Sequence, residues 1–89
     1  MPSRQLEIVN EKGLHARASA RFVEVVEQFD ARVTVSRDGL DVGGDSIMGL
    51  LMLAAAKSCH IDVAAEGPQA REALDALAAL VADKFGEGR

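Results

Sequence analysis

A histidine and an arginine stand two residues apart in Gly13-Leu14-His15-Ala16-Arg17, between an alternating segment and one with helical spacing. Imidazole is a nucleophile that is neutral near pH 7. A guanidinium brings fixed positive charge and a fork of donors suited to phosphate. Gly13 can supply an unusual backbone turn, which places His15 at or just before the first turn of a helix. The first N–H groups of a helix have no partner inside it, and the dipole adds partial positive charge there. An anion beside the His15 ring would meet those N–H groups, Ala16 and Arg17 among them. The chemistry on offer is an imidazole that carries a phosphoryl group, with a cradle beside it. A cation in the first turn opposes the dipole, so Arg17 points to a use beyond folding. The plain alternative is a helix-capping histidine and a solvated arginine.

Ser46 is the second candidate. Gly43-Gly44-Asp45-Ser46 breaks a strand ahead of an apolar run, and serine is a preferred N-cap. Capping alone explains it, yet a phosphoserine at a helix start would be stabilised too. The helix that follows holds Ile47, Met48, Leu50, Leu51, Met52 and Leu53. A short helix on a sheet buries one side only, so some of these must face water. Met48 and Met52 either form an adaptable docking surface or fill gaps in the core. Lys12, Arg17 and Arg21 form a basic rim near His15, so partners are expected to present acidic surfaces. His60 has no metal-ligand partner at useful spacing and reads as structural, and Cys59 as a small, partly buried apolar residue. No Walker or dinucleotide motif occurs, and neither a cofactor nor a metal is expected.

The run Gly13-Leu14-His15-Ala16-Arg17-Ala18-Ser19 resembles the Gly-Leu-His-(Ala/Thr)-Arg-Pro-Ala of the histidine-containing phosphocarrier (HPr) family. That family serves the bacterial phosphoenolpyruvate-dependent phosphotransferase system. Ser46-Ile47-Met48-Gly49 and its apolar continuation resemble the segment around the regulatory serine of some members. The likeness runs from about Gln5 to about Phe85. It implies that His15 accepts phosphate on Nδ1 from enzyme I and donates it to a downstream acceptor histidine or cysteine. It also implies that an HPr kinase/phosphorylase can modify Ser46, and that Ile47, Met48 and Leu51 contact partners. Ala18 departs from the family's proline. Alanine is a good helix former, so the helix is expected to survive, while the rigidity of the turn and the choice of partner come into question.

These residues need elements to hold them. Gln5 to Asn10 reads as a strand, with Leu6 and Ile8 on one face. Ala16 to about Asp30 is helical, with Phe22, Val26 and Phe29 in register. Ala31 to Arg37 is a strand, Asp38-Gly39 a hairpin turn, and Leu40 to Val42 a third strand. Ile47 to about Leu53 is a short helix, and Ala54 to Ser58 either extends it or connects onward. His60 to Glu66 alternates as a fourth strand. Gln69 to about Phe85 is a helix with Ala70, Ala73, Leu74, Leu77, Leu80 and Val81 on its apolar face, and Gly86 to Arg89 reads as a frayed tail. The order βαββαβα fits an α+β fold with one sheet and helices on one face. The resemblance implies an open-faced sandwich with an antiparallel sheet of four strands and three helices. Pattern alone leaves the strand order open.

Eighty-nine residues predict a single domain over 1–89. With 48% hydrophobic but 3% aromatic residues, the core must be aliphatic. A net charge of −4 argues against non-specific binding to nucleic acid or an anionic membrane surface. One cysteine forms no internal disulfide, which fits a reducing cytoplasm, and no apolar run has the length of a signal peptide or membrane span. Nothing requires more than a monomer. The expected role is a relay rather than an enzyme with turnover of its own, in either a sugar-transport or a regulatory branch. The alternatives are a regulatory interaction protein on the same fold, acting through Ser46 to Leu53, and an unrelated small ligand-binding domain.

Overall fold

Alternation in the strands decides which side of the sheet is covered. In the computed structural model, which describes residues 2–89, β4 (His60–Glu66) buries Ile61, Val63 and Ala65 and turns His60, Asp62 and Glu66 outward. It pairs antiparallel with both β1 (Ser3–Glu7) and β2 (Arg32–Arg37), and β2 pairs antiparallel with β3 (Leu40–Gly43). The sheet order is β1-β4-β2-β3. Leu6 lies opposite Ile61, and Val35 opposite Val63, so their side chains share the covered face. Asp38 and Gly39, both at positive φ, make the tight turn of the β2–β3 hairpin.

Three helices cover that face: α1 (Ala16–Val26), α2 (Ile47–Met52) and α3 (Ala70–Ala82). From α1 come Ala18, Phe22, Val23 and Val26, from α2 Leu50, and from α3 Ala73, Leu74, Leu77 and Val81. The core is aliphatic apart from the fully buried Phe22 and Phe85. Each fully buried Val, Leu, Ile or Phe side chain among them contributes about 1.5–3 kcal/mol on leaving water. The element order and the one-sided layering are those expected.

Several boundaries differ, each for a local reason. The first strand starts at Ser3 and ends at Glu7 rather than running to Asn10. Ile8 still exchanges backbone bonds with Cys59 and Ser58, but Asn10 then turns inward and is fully buried. α1 stops at Val26 rather than near Asp30, because Gln28 and Phe29 donate to carbonyls three residues back, which tightens the coil. The side chain of Gln69 then accepts from the Asp30 N–H at 2.8 Å and fixes the exit. Ala54 to Ser58 forms a connection, with Ala54 and Ser58 at positive φ. α3 ends at Ala82 rather than Phe85. Lys84 and Phe85 take left-handed backbone at φ 56° and 55°, which turns the Phe85 ring into the core. Left-handed residues cost about 1–2 kcal/mol each, an amount the burial of a phenylalanine can offset. The tail beyond Phe85 is consequently ordered, not frayed.

Candidate functional site

The turn before α1 is set by Gly13, at φ +67° and packed against the connection after α2. A β-carbon there would stand 2.5 Å from the Ala55 carbonyl oxygen. That same oxygen accepts from the Leu14 N–H at 2.9 Å. The backbone is thereby pinned on both sides of Leu14, which is buried, and His15 emerges in extended conformation as the N-cap of α1. Its carbonyl accepts the first helical bond, from Ser19 N at 2.8 Å. Ala18 is fully buried within α1, and the helix forms without the proline.

The two ring nitrogens of His15 have different partners. Nδ1 accepts from the Arg17 backbone N–H at 3.3 Å, a long bond. Nε2 meets the Glu87 carboxylate through Oε2. The other carboxylate oxygen, Oε1, accepts from Asn10 Nδ2 at 2.9 Å, and Asn10 Nδ2 also donates to the Gly13 carbonyl at 2.9 Å. An acceptor facing Nε2 and a donor facing Nδ1 assign the neutral tautomer with its proton on Nε2. The lone pair of Nδ1 is then directed at the helix start, held by one weak bond. Burial works to raise the Glu87 carboxyl, but the hydrogen bonds from Asn10 and His15, with the nearby positive charge of Lys12, outweigh it. The carboxyl is held below its ordinary value.

A cavity of about 340 Å³ opens over this ring. Lys12, Arg17, Arg21 and Arg89 line it together with His15 and Glu87. The basic rim expected from Lys12, Arg17 and Arg21 is present, and Arg89 extends it. Arg89 is held there because its carbonyl accepts from the Glu11 N–H at 3.0 Å. Glu87, Asn10 and Arg89 were not among the candidates read from the sequence. The one available signal was Phe85, a large apolar residue beside a glycine, which had to be buried and so had to draw the tail inward.

Ser46 lies apart from this cavity. It is the N-cap of α2, and its Oγ accepts from the Gly49 N–H at 3.0 Å. The Gly13–Leu14 turn packs at the other end of α2, against Ala55. Leu50 and Leu53 are buried, Leu51 is half-buried, and Ile47, Met48 and Met52 are 40%, 70% and 64% exposed. The two methionines therefore do not fill core gaps. His60 is on the surface, 3.9 Å from Glu7, and the half-buried Cys59 accepts from the Arg37 guanidinium at 3.3 Å. No helix among the described residues is long and apolar enough to cross a membrane.

A family model described as "PTS HPr component phosphorylation site" matches residues 2–83. The phosphocarrier protein HPr of Cupriavidus necator is 46% identical over 88 residues, covering 99% of both chains. That of Pseudomonas aeruginosa is 44% identical over 89 residues, with the same coverage. Among solved structures, HPr-C-His from Thermoanaerobacter tengcongensis aligns with a TM-score of 0.93 at 38% identity, over 98% of each chain.

Proposed function

This chain belongs to the HPr family of phosphocarrier proteins of the phosphotransferase system, and from that premise we propose that His15 Nδ1 is its phosphoryl acceptor. The observation that carries this reading is the split of partners on the ring, with Nε2 facing a carboxylate and Nδ1 facing the start of α1. The donor is enzyme I charged from phosphoenolpyruvate. The Nδ1 lone pair attacks phosphorus, the bond from phosphorus to the donor breaks, and its electron pair leaves with the donor group. The Ala16 and Arg17 N–H groups and the Arg17 guanidinium take the phosphoryl oxygens. The helix dipole contributes about 0.3–1 kcal/mol and each bond to the charged group about 1.5–3 kcal/mol. These modest terms suit a relay, since a carrier that binds phosphate too tightly cannot pass it on to a downstream acceptor. On this reading residues 1–89 act as one monomeric carrier unit in the cytoplasm, without turnover of their own.

The exposed Ile47, Met48 and Met52, with the half-buried Leu51, form an adaptable apolar face for donor and acceptor. Ser46 borders that face. Its phosphorylation by an HPr kinase/phosphorylase would add about −1.5 to −2 charge beside it and repel an acidic partner. Ser46→Asp is expected to slow transfer from enzyme I; an unchanged rate would reject this regulatory role. The same face favours a second reading, a regulatory docking protein with little phosphotransfer.

Intact-protein mass after incubation with phosphoenolpyruvate and enzyme I separates the two. The expected result is one acid-labile phosphate on the wild type and none on His15→Ala. A wild type that gains no phosphate from a cognate donor would overturn the carrier reading and favour the docking one.

A further inference from the structure

We infer that Glu87 is a positioning residue for phosphoryl transfer at His15, delivered to the ring by a C-terminal strap. The inference rests on the reading of His15 as the acceptor. Glu87 sits between two anchors. On one side Phe85 is fully buried in left-handed backbone, and on the other the Arg89 carbonyl is held by Glu11 N. A loose surface carboxylate would be solvated; the Glu87 side chain is only 15% exposed. Four cations line the same cavity, yet the carboxylate is spent on the His15 ring and on Asn10. Asn10, itself fully buried, grips both the Gly13 carbonyl that shapes the turn and the carboxylate that faces the ring. One side chain therefore couples the placement of His15 to the placement of Glu87.

The chemistry explains why a carboxylate belongs there. Transfer requires the lone pair on Nδ1, so the single ring proton must stay on Nε2. When the bond from Nδ1 to phosphorus forms, the pair from the broken donor bond leaves with the donor and the Nε2 proton does not move. The ring then carries a positive charge beside the phosphoryl group. A carboxylate accepting from Nε2–H fixes the tautomer before transfer and faces the charge that develops during it.

Glu87→Gln and Glu87→Ala divide these two effects. The glutamine amide oxygen can still accept from Nε2–H but carries no charge. The alanine removes both, and both variants leave Phe85 in place. Nitrogen-15 NMR of the unphosphorylated ring reads the tautomer without any donor, and rapid-quench transfer from phosphorylated enzyme I reads the rate. Glu87→Gln should keep the Nε2–H tautomer and transfer about tenfold more slowly, with unchanged KM for the donor, reflecting the gap between neutral and charge-assisted bonds. Glu87→Ala should move the ring toward a mixture of tautomers and slow transfer further. Wild-type tautomer and wild-type rate in a folded Glu87→Ala protein would overturn the proposal and leave the His15 reading intact. A wild type that takes no phosphate would remove both.

Discussion

Replacing Gly13 by alanine tests the geometry that presents His15. The new β-carbon would stand 2.5 Å from the Ala55 carbonyl oxygen and 2.9 Å from the Ala56 α-carbon, both backbone atoms. It would also be held at φ +67°, where an L-residue pays about 1–2 kcal/mol. Displacing Ala55 strains its bond from the Leu14 N–H, and a lost bond of this kind costs about 0.5–1.5 kcal/mol. The reduced freedom of the unfolded chain returns about 0.4–1 kcal/mol. The net expectation is a loss of about 1–3 kcal/mol. Gly39→Ala is the control: its φ is similar at +83°, but nothing lies within 4 Å of the added carbon. It should lose at most about 1.6 kcal/mol, the conformational part alone. Urea unfolding followed by far-UV circular dichroism is the suitable assay, since the chain has neither tryptophan nor tyrosine. With a slope of about 2 kcal/mol per molar urea, the middle of the usual range, the Gly13→Ala midpoint should fall by roughly 0.5–1.5 M and stay below that of Gly39→Ala. Equal midpoints for the two variants would refute the close approach of Gly13 to Ala55.

Three further outcomes follow from the same structure. Ser46→Ala removes the acceptor for Gly49 N–H and should cost about 1 kcal/mol in urea unfolding; no loss would mean the cap is idle. Met48→Glu, at a site 70% exposed, should change stability by no more than about 0.5 kcal/mol while raising KM for enzyme I. An unchanged KM would remove Met48 from the docking face. Glu87 has a folded value lowered from 4.5, so its stabilisation is fully present above that pH and is lost as the pH falls through the folded value. The stability gap between wild type and Glu87→Gln should therefore be constant above about pH 5 and close in stronger acid. A gap that persisted unchanged into strong acid would contradict the direction of the shift.

Local signals carried much of the fold. The alternation in His60 to Glu66 placed β4 at its observed bounds, Asp38-Gly39 announced the hairpin, and Ser46 announced the start of α2. His15 and Arg17 were legible because Gly13 marks the turn before a strongly patterned helix. The pairing of β4 between β1 and β2 was not legible, since it joins segments far apart in the chain and no local pattern encodes it. Val81 and Phe85 keep the i, i+4 spacing of a helix, so periodicity extended α3 through a residue that is left-handed. The left-handed pair Lys84 and Phe85 brings Glu87 to a histidine 72 positions earlier. Asn10 looked like the end of a strand because its side-chain bonds go to a turn and to the far terminus. What escaped the sequence was thus the part of the site held by long-range side-chain contacts.

The central claim is that phosphate resides on Nδ1 of His15 while Nε2 keeps its proton toward Glu87. Phosphorus–nitrogen coupling measured by NMR on protein labelled with nitrogen-15 in its histidines, after charging by enzyme I, reads this directly. The predicted result is a one-bond coupling at Nδ1 of His15 and a protonated Nε2. Coupling at Nε2, or phosphate on any other residue, would contradict the account.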